Sequence, residues 1–300
     1  MMGKTKFWLL VAGICILVGC TLFGVVMTEL KWDFSQLSTA KFVDNTHTPT
    51  QDFTRIVVDT DTASILFAPS DDGCTVACHE EEKARHNVFV QDGTLHIQVV
   101  NEKKWYDHIG IHFASPKLTV QLPRKQYDAL TVKCATGSVT VSGQLALGEV
   151  EVSVATGAID LSRVTMQTGI LQTNTGRTTL SDVSCDGVLR LVGGTGRTVT
   201  KDLRCGELLV TTGTGDVELI NTVADERFTI SAGTGDVLFA CCDAPDIQVS
   251  TGTGDVEGSL LSGKCFDADT KTGDVRLPAN SGTQTCHIQT GTGDIRITVE

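Results

Sequence analysis

The sequence has few aromatic residues, few basic residues and no paired cysteine motif. Phe, Trp and Tyr make up only 5% of the 300 residues, so exposed aromatic platforms for carbohydrate are scarce. Lys and Arg number 24 against 36 Asp and Glu, a formal net charge of −12, which disfavours nucleic acid as a partner. The 11 cysteines form no C-x-x-C pair, which disfavours a structural zinc array. No Ser-His-Asp or paired-carboxylate signature stands out, so we predict no catalysis.

The longest uncharged run lies at the amino terminus. Residues 7–27 contain no charged side chain, follow Lys4 and Lys6, and are long enough to cross a hydrocarbon core of ~30 Å as a helix. The lysines before the run predict a cytoplasmic amino terminus and an extracytoplasmic remainder. We therefore predict that residues 1–32 form a signal-anchor and that the protein crosses the cell membrane once.

A short motif supports a second interpretation of the same segment. Residues 17–20, Leu-Val-Gly-Cys, resemble a lipobox, at which bacterial lipoproteins are cleaved and lipidated on cysteine, here Cys20. The sequence stays apolar from Cys20 to Met27, which favours an uncleaved anchor over a lipoprotein. Both interpretations export the rest of the chain. Residues 1–32 carry three Lys and one Glu, a balance of +2, so the exported part carries −14.

Nine of the 30 glycines follow a threonine at intervals of 19 or 20 residues. These turn glycines are Gly137, Gly157, Gly176, Gly196, Gly215, Gly235, Gly254, Gly273 and Gly293. Apolar residues alternate on both sides of each glycine, which predicts two short strands per repeat with one buried face. The residues two positions after the glycine, from Val139 to Ile295 and including Val275, are predicted to be buried.

A further apolar position seven residues after the glycine predicts a third wall in most repeats. That position holds Val164, Val183, Leu203, Cys242 and Leu261. A β-sandwich of hairpins would explain the alternation, but not an interval held within one residue over nine copies. We therefore predict an all-β fold, a single-stranded β-solenoid (β-helix-like) with 19–20-residue coils, in which stacking buries a continuous apolar column.

The segments before the regular repeat have a different character. Residues 33–52 are polar and contain Pro49, which predicts a linker. Residues 53–130 alternate like strands but lack the interval, so we expect irregular first coils and a cap. Within them the charged run 80–86 predicts a solvated loop or short helix. Residues 131–300 form the regular Thr-Gly repeat.

These features together resemble a known family. The apolar anchor, Val-Asp-Thr-Asp-Thr at 58–62 and the repeated Thr-Gly-Asp-Val are similar to the "putative adhesin" β-strand-repeat family of bacterial envelope proteins, formerly a domain of unknown function, which includes LiaG-like proteins. The resemblance covers residues 50–300. It implies an exported, anchored β-solenoid with no established activity, and its name implies a surface interaction.

The predicted function is a surface interaction module, an adhesin or an envelope structural module. Its partners would be the membrane, through the helix, and an unknown protein or a polymer of the cell envelope or host surface. The LiaG-like resemblance allows an alternative, an accessory or sensor component of envelope-stress signalling. A second alternative is a polysaccharide-acting β-helix enzyme, although here the aspartates fall in turns and the basic turn residues Arg177 and Arg197 belong to other coils.

The residue after the turn glycine is aspartate in the last five repeats. These residues are Asp216, Asp236, Asp255, Asp274 and Asp294. Stacking would place their carboxylates in a column about 5 Å apart, which is unfavourable unless something compensates. Calcium could do so, because oxygen ligands suit that ion, although the nonapeptide of calcium-binding β-rolls is absent. The favoured interpretation is a local turn hydrogen bond with the side chain in water.

A candidate partner patch follows Lys104. It contains the only tryptophan of the exported repeat region and two histidines four residues apart: Trp105, Tyr106, Asp107, His108 and His112. Neighbouring glycine and β-branched residues favour loop and strand, where the two histidines would lie ~13 Å apart, too far for one ion. We predict an aromatic plug on the cap or a partner patch, and no metal site.

Two cysteines occupy equivalent positions in adjacent repeats. Cys185 and Cys205 each follow a turn glycine by nine residues, so they should be neighbours about 5 Å apart. That spacing allows a disulfide. A ladder of reduced, buried thiols is an equally good interpretation. We expect the adjacent Cys241 and Cys242 to be free, because a bridge between them would be strained.

Overall fold

The computed structural model describes residues 2–33, 41–104 and 115–300. One helix, α1 (Met2–Glu29), precedes the strands. The side chains of its apolar segment Lys6–Glu29 are largely exposed, apart from the buried Met27. The segment is long and apolar enough to cross a membrane. This agrees with the predicted apolar helix at the amino terminus.

Within the described residues, twenty strands follow the helix, and all belong to one hydrogen-bonded sheet system. The first eight are β1 Phe42–His47, β2 Arg55–Thr62, β3 Ser64–Ser70, β4 Thr75–Glu81, β5 Ala84–Gln91, β6 Thr94–Asn101, β7 Lys117–Pro123 and β8 Gln126–Thr136. The long central strands are β9 Val139–Thr156, β10 Ile159–Thr175, β11 Thr178–Thr195, β12 Thr198–Thr214 and β13 Val217–Thr234. The last seven are β14 Val237–Cys242, β15 Asp246–Thr253, β16 Val256–Leu260, β17 Cys265–Thr270, β18 Val275–Arg276, β19 Thr285–Thr292 and β20 Ile295–Val299.

The central strands confirm the predicted β-solenoid. Each of β9 to β13 runs 17 or 18 residues from one turn glycine to the next and pairs in parallel with the strands before and after it. Residues at equivalent repeat positions pair, for example Leu161 with Leu180 and Leu171 with Leu191. The inward residues form one continuous apolar column along the stack.

The turn glycines form the first corner of each coil, and we name each coil by its turn glycine. All nine have φ between +136° and +152°, a backbone region that residues with a Cβ rarely adopt. The coils also touch here, since a Cβ on Gly196 would lie 1.9 Å from the carbonyl oxygen of Gly176. In the regular coils the repeat interval is therefore set by a position whose backbone conformation and close contacts require glycine.

A second corner lies six residues after the turn glycine. Residues there have positive φ from 46° to 94°: Gly143, Arg163, Asp182, Asp202, Asn221 and Cys241. Beyond this corner, the third wall predicted from the sequence is buried at Val164, Val183, Leu203 and Cys242. The prediction is wrong for Leu261, which is 43% exposed, because β16 ends at Leu260 and the chain leaves the sheet there.

The last two coils do not stack in chain order. The Gly293 coil (β19 and β20) pairs with the Gly254 coil on one side and with the Gly273 coil on the other. The Gly254 N–H donates to the Thr292 carbonyl at 2.8 Å, and the Gly293 N–H donates to the Thr272 carbonyl at 2.9 Å. The end of the chain is therefore enclosed between two coils, and the earlier Gly273 coil forms the edge.

The edge position of the Gly273 coil overturns one burial prediction. Val275, two residues after the glycine, is 42% exposed, whereas Ile295 at the same repeat position is fully buried. The difference follows from the stacking order, since the two-residue strand β18 has a sheet partner in β20 on one side only, among the described residues.

The carboxyl terminus is also held by its last residue. The Glu300 N–H donates to the Leu260 carbonyl at 3.0 Å, and the Ser259 hydroxyl donates to Glu300 Oε1 at 2.7 Å. Two hydrogen bonds lower the pKa of the Glu300 carboxyl below its ordinary value: the larger effect comes from Ser259 and the smaller from the Cys241 thiol. These contacts fasten the end of the chain to coils that precede it by about 40 residues.

The amino-terminal end is interleaved in the same way. The coil formed by β2 and β3 pairs with β8 and β9 on its inner side and with β6 and β7 on its outer side. Ala63 takes the place of a turn glycine, and its carbonyl lies where a Cβ on Gly137 would clash. Strands β1, β4 and β5 complete the cap by antiparallel pairing.

The cap differs from two predictions. β1 (Phe42–His47) lies inside the segment predicted as a linker and pairs with β4 along its whole length, because its alternating residues suit an edge strand. The charged run 80–86 is neither a solvated loop nor a helix. It contains the β4–β5 hairpin, in which Glu80 and His86 are buried, since they bond to one another and to neighbouring strands.

Candidate functional site

The five turn aspartates form a hydrogen-bonded ladder, which we call the aspartate ladder. In four of the five, Oδ1 of the carboxylate accepts from the backbone N–H of the aspartate on the next coil in space. The pairs are Asp216 with Asp236 (3.2 Å), Asp236 with Asp255 (2.8 Å), Asp255 with Asp294 (2.7 Å) and Asp294 with Asp274 (2.8 Å). The order follows the interleaved coils, and each bond joins two coils instead of closing one turn.

The turn geometry explains why a carboxylate suits this position. Main-chain bonds between coils use the residues on either side: the Gly235 N–H donates to Thr253, and the Val237 N–H donates to Asp255. The N–H of the aspartate between them is left for a side-chain acceptor, and Oδ1 of the preceding coil reaches it. Among the repeats, the earlier coils carry Ser138, Ala158, Arg177 or Arg197 at this position.

Arginines partly compensate the negative charge of the aspartate ladder. Arg197 lies 3.8 Å from Asp216 and 3.4 Å from Glu218, and Arg276 lies 3.7 Å from Asp274. Arg296 pairs with both Glu257 and Asp294, and these contacts raise the pKa of its guanidinium, the hydrogen bond to Glu257 most strongly. Neighbouring carboxylates at strand spacing repel by about 1 kcal/mol in a water-like dielectric, so such compensation matters.

A shallow groove of about 190 Å³ runs beside the ladder. Its acidic lining consists of Asp216, Glu218, Asp236, Asp255 and Glu257. The threonines before the turn glycines, such as Thr234 and Thr253, are exposed and form a second column along the same corner. Together the two columns give the solenoid a rigid polar edge with a repeat of ~4.8 Å.

Removing one carboxylate from the ladder tests its structural role. In Asp255→Ala the Asp294 N–H loses its acceptor, so we expect the free energy of unfolding to fall by about 1 kcal/mol. Asp255→Asn keeps an Oδ1 acceptor and removes one repulsive charge, so the change should stay below about 0.5 kcal/mol. Urea denaturation of both variants, with the exposed Asp225→Ala as control, measures the difference. If Asp255→Ala and Asp255→Asn lose the same free energy of unfolding, the hydrogen bonds of the ladder do not stabilise the solenoid.

Calcium binding at this edge stays a prediction. The hydrogen bonds engage Oδ1 of four carboxylates, and arginines pair with Oδ2 of Asp216, Asp274 and Asp294, so the ladder accounts for the aspartates without an ion. A site for calcium would need six to eight oxygen ligands. If calcium binds, the melting temperature rises with calcium and not with magnesium; the absence of a calcium-specific shift would end this hypothesis.

The other predicted site residues have different outcomes. The patch of Trp105, Tyr106, Asp107, His108 and His112 lies outside the described residues. Cys185 and Cys205 are buried, in-register neighbours on β11 and β12, and both are thiols here. Burial raises the pKa of both thiols, that of Cys205 to about 12. A disulfide between them stays a prediction, which non-reducing mass mapping tests.

Two buried polar clusters are not predicted by any sequence pattern described above. One joins Cys78, Glu80 and His86 in the cap, and its only sequence signal is Cys-x-Glu followed by a histidine across a hairpin. The other surrounds Lys264, which is fully buried and donates to Ser262 at 2.8 Å and also to Asp243 and Gln284. The lysine ties the turn after the Gly254 coil to its neighbours.

The fold and this edge define an acidic, single-stranded β-solenoid that follows an apolar helix. The chain belongs to the Toastrack DUF4097 family, whose profile matches residues 53–237 and 197–300. No curated protein sequence matches the chain.

Several solved structures share the fold. One is described as a "putative lipid binding protein" from Parabacteroides distasonis, with 12% identity and a TM-score of 0.58 over 87% of this chain and 98% of that one. Another, a "putative adhesin" from the same organism, has 15% identity and a TM-score of 0.54 over 86% and 98%. A "putative adhesin" from Parabacteroides merdae has 10% identity and a TM-score of 0.55 over 85% and 97%. At these identities the likeness shows the fold alone.

Proposed function

We propose that this protein is a membrane-anchored surface interaction module that binds an extended partner along its aspartate ladder. The partner is a protein or a polymer of the cell envelope or host surface, and the module carries out no catalysis. The observation that carries the proposal is the ladder itself. Its carboxylates are held in register by hydrogen bonds between coils, and the same edge presents a column of exposed threonines.

A rigid array favours a partner that is itself repetitive. Hydrogen bonds hold four of the five carboxylates before binding, so these side chains lose little freedom when a partner with matching cationic or donor groups docks. Each contact is exposed and therefore weak, but several contacts in one register add in strength. The family relationship and the adhesin descriptions of proteins with this fold agree with a surface role.

The location in this proposal depends on α1. Its apolar segment is preceded by Lys4 and Lys6, so we propose that the amino terminus is cytoplasmic and the solenoid extracytoplasmic. Lipid anchoring at Cys20 would export the same solenoid. The net charge of −14 beyond residue 32 would then face the outside, where it steers cationic partners toward the protein.

A charge-matched pair of variants tests the binding edge. Asp236→Asn, Asp255→Asn and Asp294→Asn together remove three charges from the ladder while keeping the Oδ1 acceptors. The control variant removes three charges elsewhere, at exposed Asp186, Asp225 and Glu226. We expect cells that display the ladder variant to bind isolated cell wall or host matrix about tenfold less than the control, a loss of ~1.4 kcal/mol.

Equal binding by the two variants would contradict the proposed edge. Cross-linking on intact cells distinguishes an adhesin from the predicted alternative, a sensor component of envelope-stress signalling. Recovery of a membrane kinase or transporter would favour the sensor component. Turnover of wall or plant polysaccharide by the purified protein would overturn the non-catalytic assignment.

A further inference from the structure

A cluster of metal-ligating side chains lies inside the amino-terminal cap, which we call the cap cluster. It consists of Cys78 and Glu80 on β4 and His86 on β5. All three are buried, and one ligand atom from each lies within 4.8 Å of the other two. Alternation along β4 points Cys78 and Glu80 to the same inner face, and the β4–β5 hairpin brings His86 to them.

Hydrogen bonds from four strands fix the cap cluster. Glu80 Oε2 accepts from the His86 main-chain N–H at 2.6 Å and lies 2.8 Å from His86 Nδ1. Asn45 Nδ2 on β1 donates to Glu80 Oε1 at 2.6 Å. Thr60 Oγ1 on β2 lies 2.9 Å from His86 Nε2. Carboxylate and imidazole are therefore oriented by outer partners, as the ligands of metal sites in proteins usually are.

The charges of the cap cluster also fit a divalent cation. A divalent ion bound by the Cys78 thiolate, the Glu80 carboxylate and a neutral His86 imidazole would give the buried cluster zero net charge. If His86 ligates through Nδ1, its remaining proton lies on Nε2, where the Thr60 hydroxyl can accept it.

We propose that Cys78, Glu80 and His86 bind a zinc-class divalent metal ion that fastens the β4–β5 hairpin to the cap. One sulfur, one nitrogen and one oxygen ligand suit zinc, whereas calcium and magnesium take oxygen ligands only. A water molecule can supply the fourth ligand, since His86 also lines a cavity of about 390 Å³ together with Asp61 and Lys103. The site is independent of the aspartate ladder and of the proposed surface function.

The same strand supplies matched controls. His79 and Glu81 alternate with the cluster residues on β4 and point to the other face. His79 Nδ1 lies 2.7 Å from Asp44, and Glu81 pairs with Lys103 at 2.7 Å. Substitutions His79→Ala and Glu81→Gln therefore change the same residue types on the same strand without touching the cluster. Cys265→Ser removes an exposed thiol as the sulfur control.

The test is a cobalt titration of the full chain purified in detergent under reducing conditions. We expect one cobalt ion per chain, with a near-ultraviolet thiolate-to-cobalt band that zinc abolishes by displacement. Cys78→Ser should remove the band. His86→Ala and Glu80→Gln should weaken cobalt binding at least about tenfold. The control variants His79→Ala, Glu81→Gln and Cys265→Ser should keep both the band and the affinity for cobalt. Zinc should raise the melting temperature of the wild type and not that of Cys78→Ser.

Two results would overturn the metal site. One is a folded wild-type protein that shows no thiolate-to-cobalt band at saturating cobalt. The other is a band of unchanged intensity in Cys78→Ser, which would assign the signal to a different thiol. Because the wild-type titration needs no variant, the proposal stays falsifiable even if the cluster variants fail to fold.

Discussion

Gly196→Ala should destabilise the solenoid by about 4 kcal/mol or more, the range reached when a substitution forces backbone atoms to move. The added Cβ would lie 1.9 Å from the Gly176 carbonyl oxygen and 2.7 Å from its carbon, and φ at this position is +136°. No side-chain rotation moves a Cβ away from a backbone carbonyl, so two coils must separate at their corner. Urea unfolding followed by circular dichroism measures the loss.

Gly93→Ala is the matched control. Gly93 also has positive φ, +71°, but a Cβ there would meet nothing within 4 Å. This variant should lose only the cost of a left-handed conformation, about 1–2 kcal/mol. Gly196→Ala and Gly93→Ala could instead lose the same free energy of unfolding. That result would show that the positive φ alone requires glycine at the turns, and that close stacking of the coils does not contribute.

Ile295→Ala should cost about 3 kcal/mol, although the residue lies only five positions from the end of the chain. Ile295 is fully buried, and β20 places it between Val256 on one side and Val275 on the other. Its N–H donates to the Asp274 carbonyl at 2.9 Å. The interleaved stacking therefore makes a terminal residue part of the core.

The control for this prediction is Val299→Ala, because Val299 is 37% exposed on the same strand. We expect a loss below about 1 kcal/mol there. Hydrogen exchange gives a second measurement, since the Ile295 amide should exchange only when the whole solenoid end opens. Fast exchange at Ile295, together with equal small losses in both variants, would show that the last coil frays as an outer edge.

The regular coils could be predicted from the sequence because their constraint is local. A turn that only glycine fits repeats at one interval, and the flanking alternation identifies the inner face, as at Leu161 and Leu171. The second corner was harder to predict. Asp202 and Asn221 tolerate positive φ, but Arg163 and Cys241 occupy the same position and give no such signal.

The stacking order and the cap could not be predicted from these patterns. The Gly273 and Gly293 repeats share the Thr-Gly-Asp turn, so the turn motif alone does not indicate which of them lies at the edge. Burial of Glu80 and His86 depends on bonds to Asn45 and Thr60, 35 and 26 residues away in sequence. The repeat spacing predicts that the turn aspartates lie in a column. It does not predict the hydrogen bond from Oδ1 to the next aspartate, because that bond depends on which coil is the neighbour in space.

The central claim is that the solenoid is exported and its acidic edge lies outside the cell. Labelling of Cys265 on intact cells tests this claim most directly. Cys265 is an exposed thiol on the edge strand β17, so a membrane-impermeant maleimide should reach it without lysis. Labelling of the full chain in intact cells, reduced strongly in Cys265→Ser, is the predicted result. Labelling of Cys265 only after the cells are permeabilised would place the solenoid inside and contradict the account.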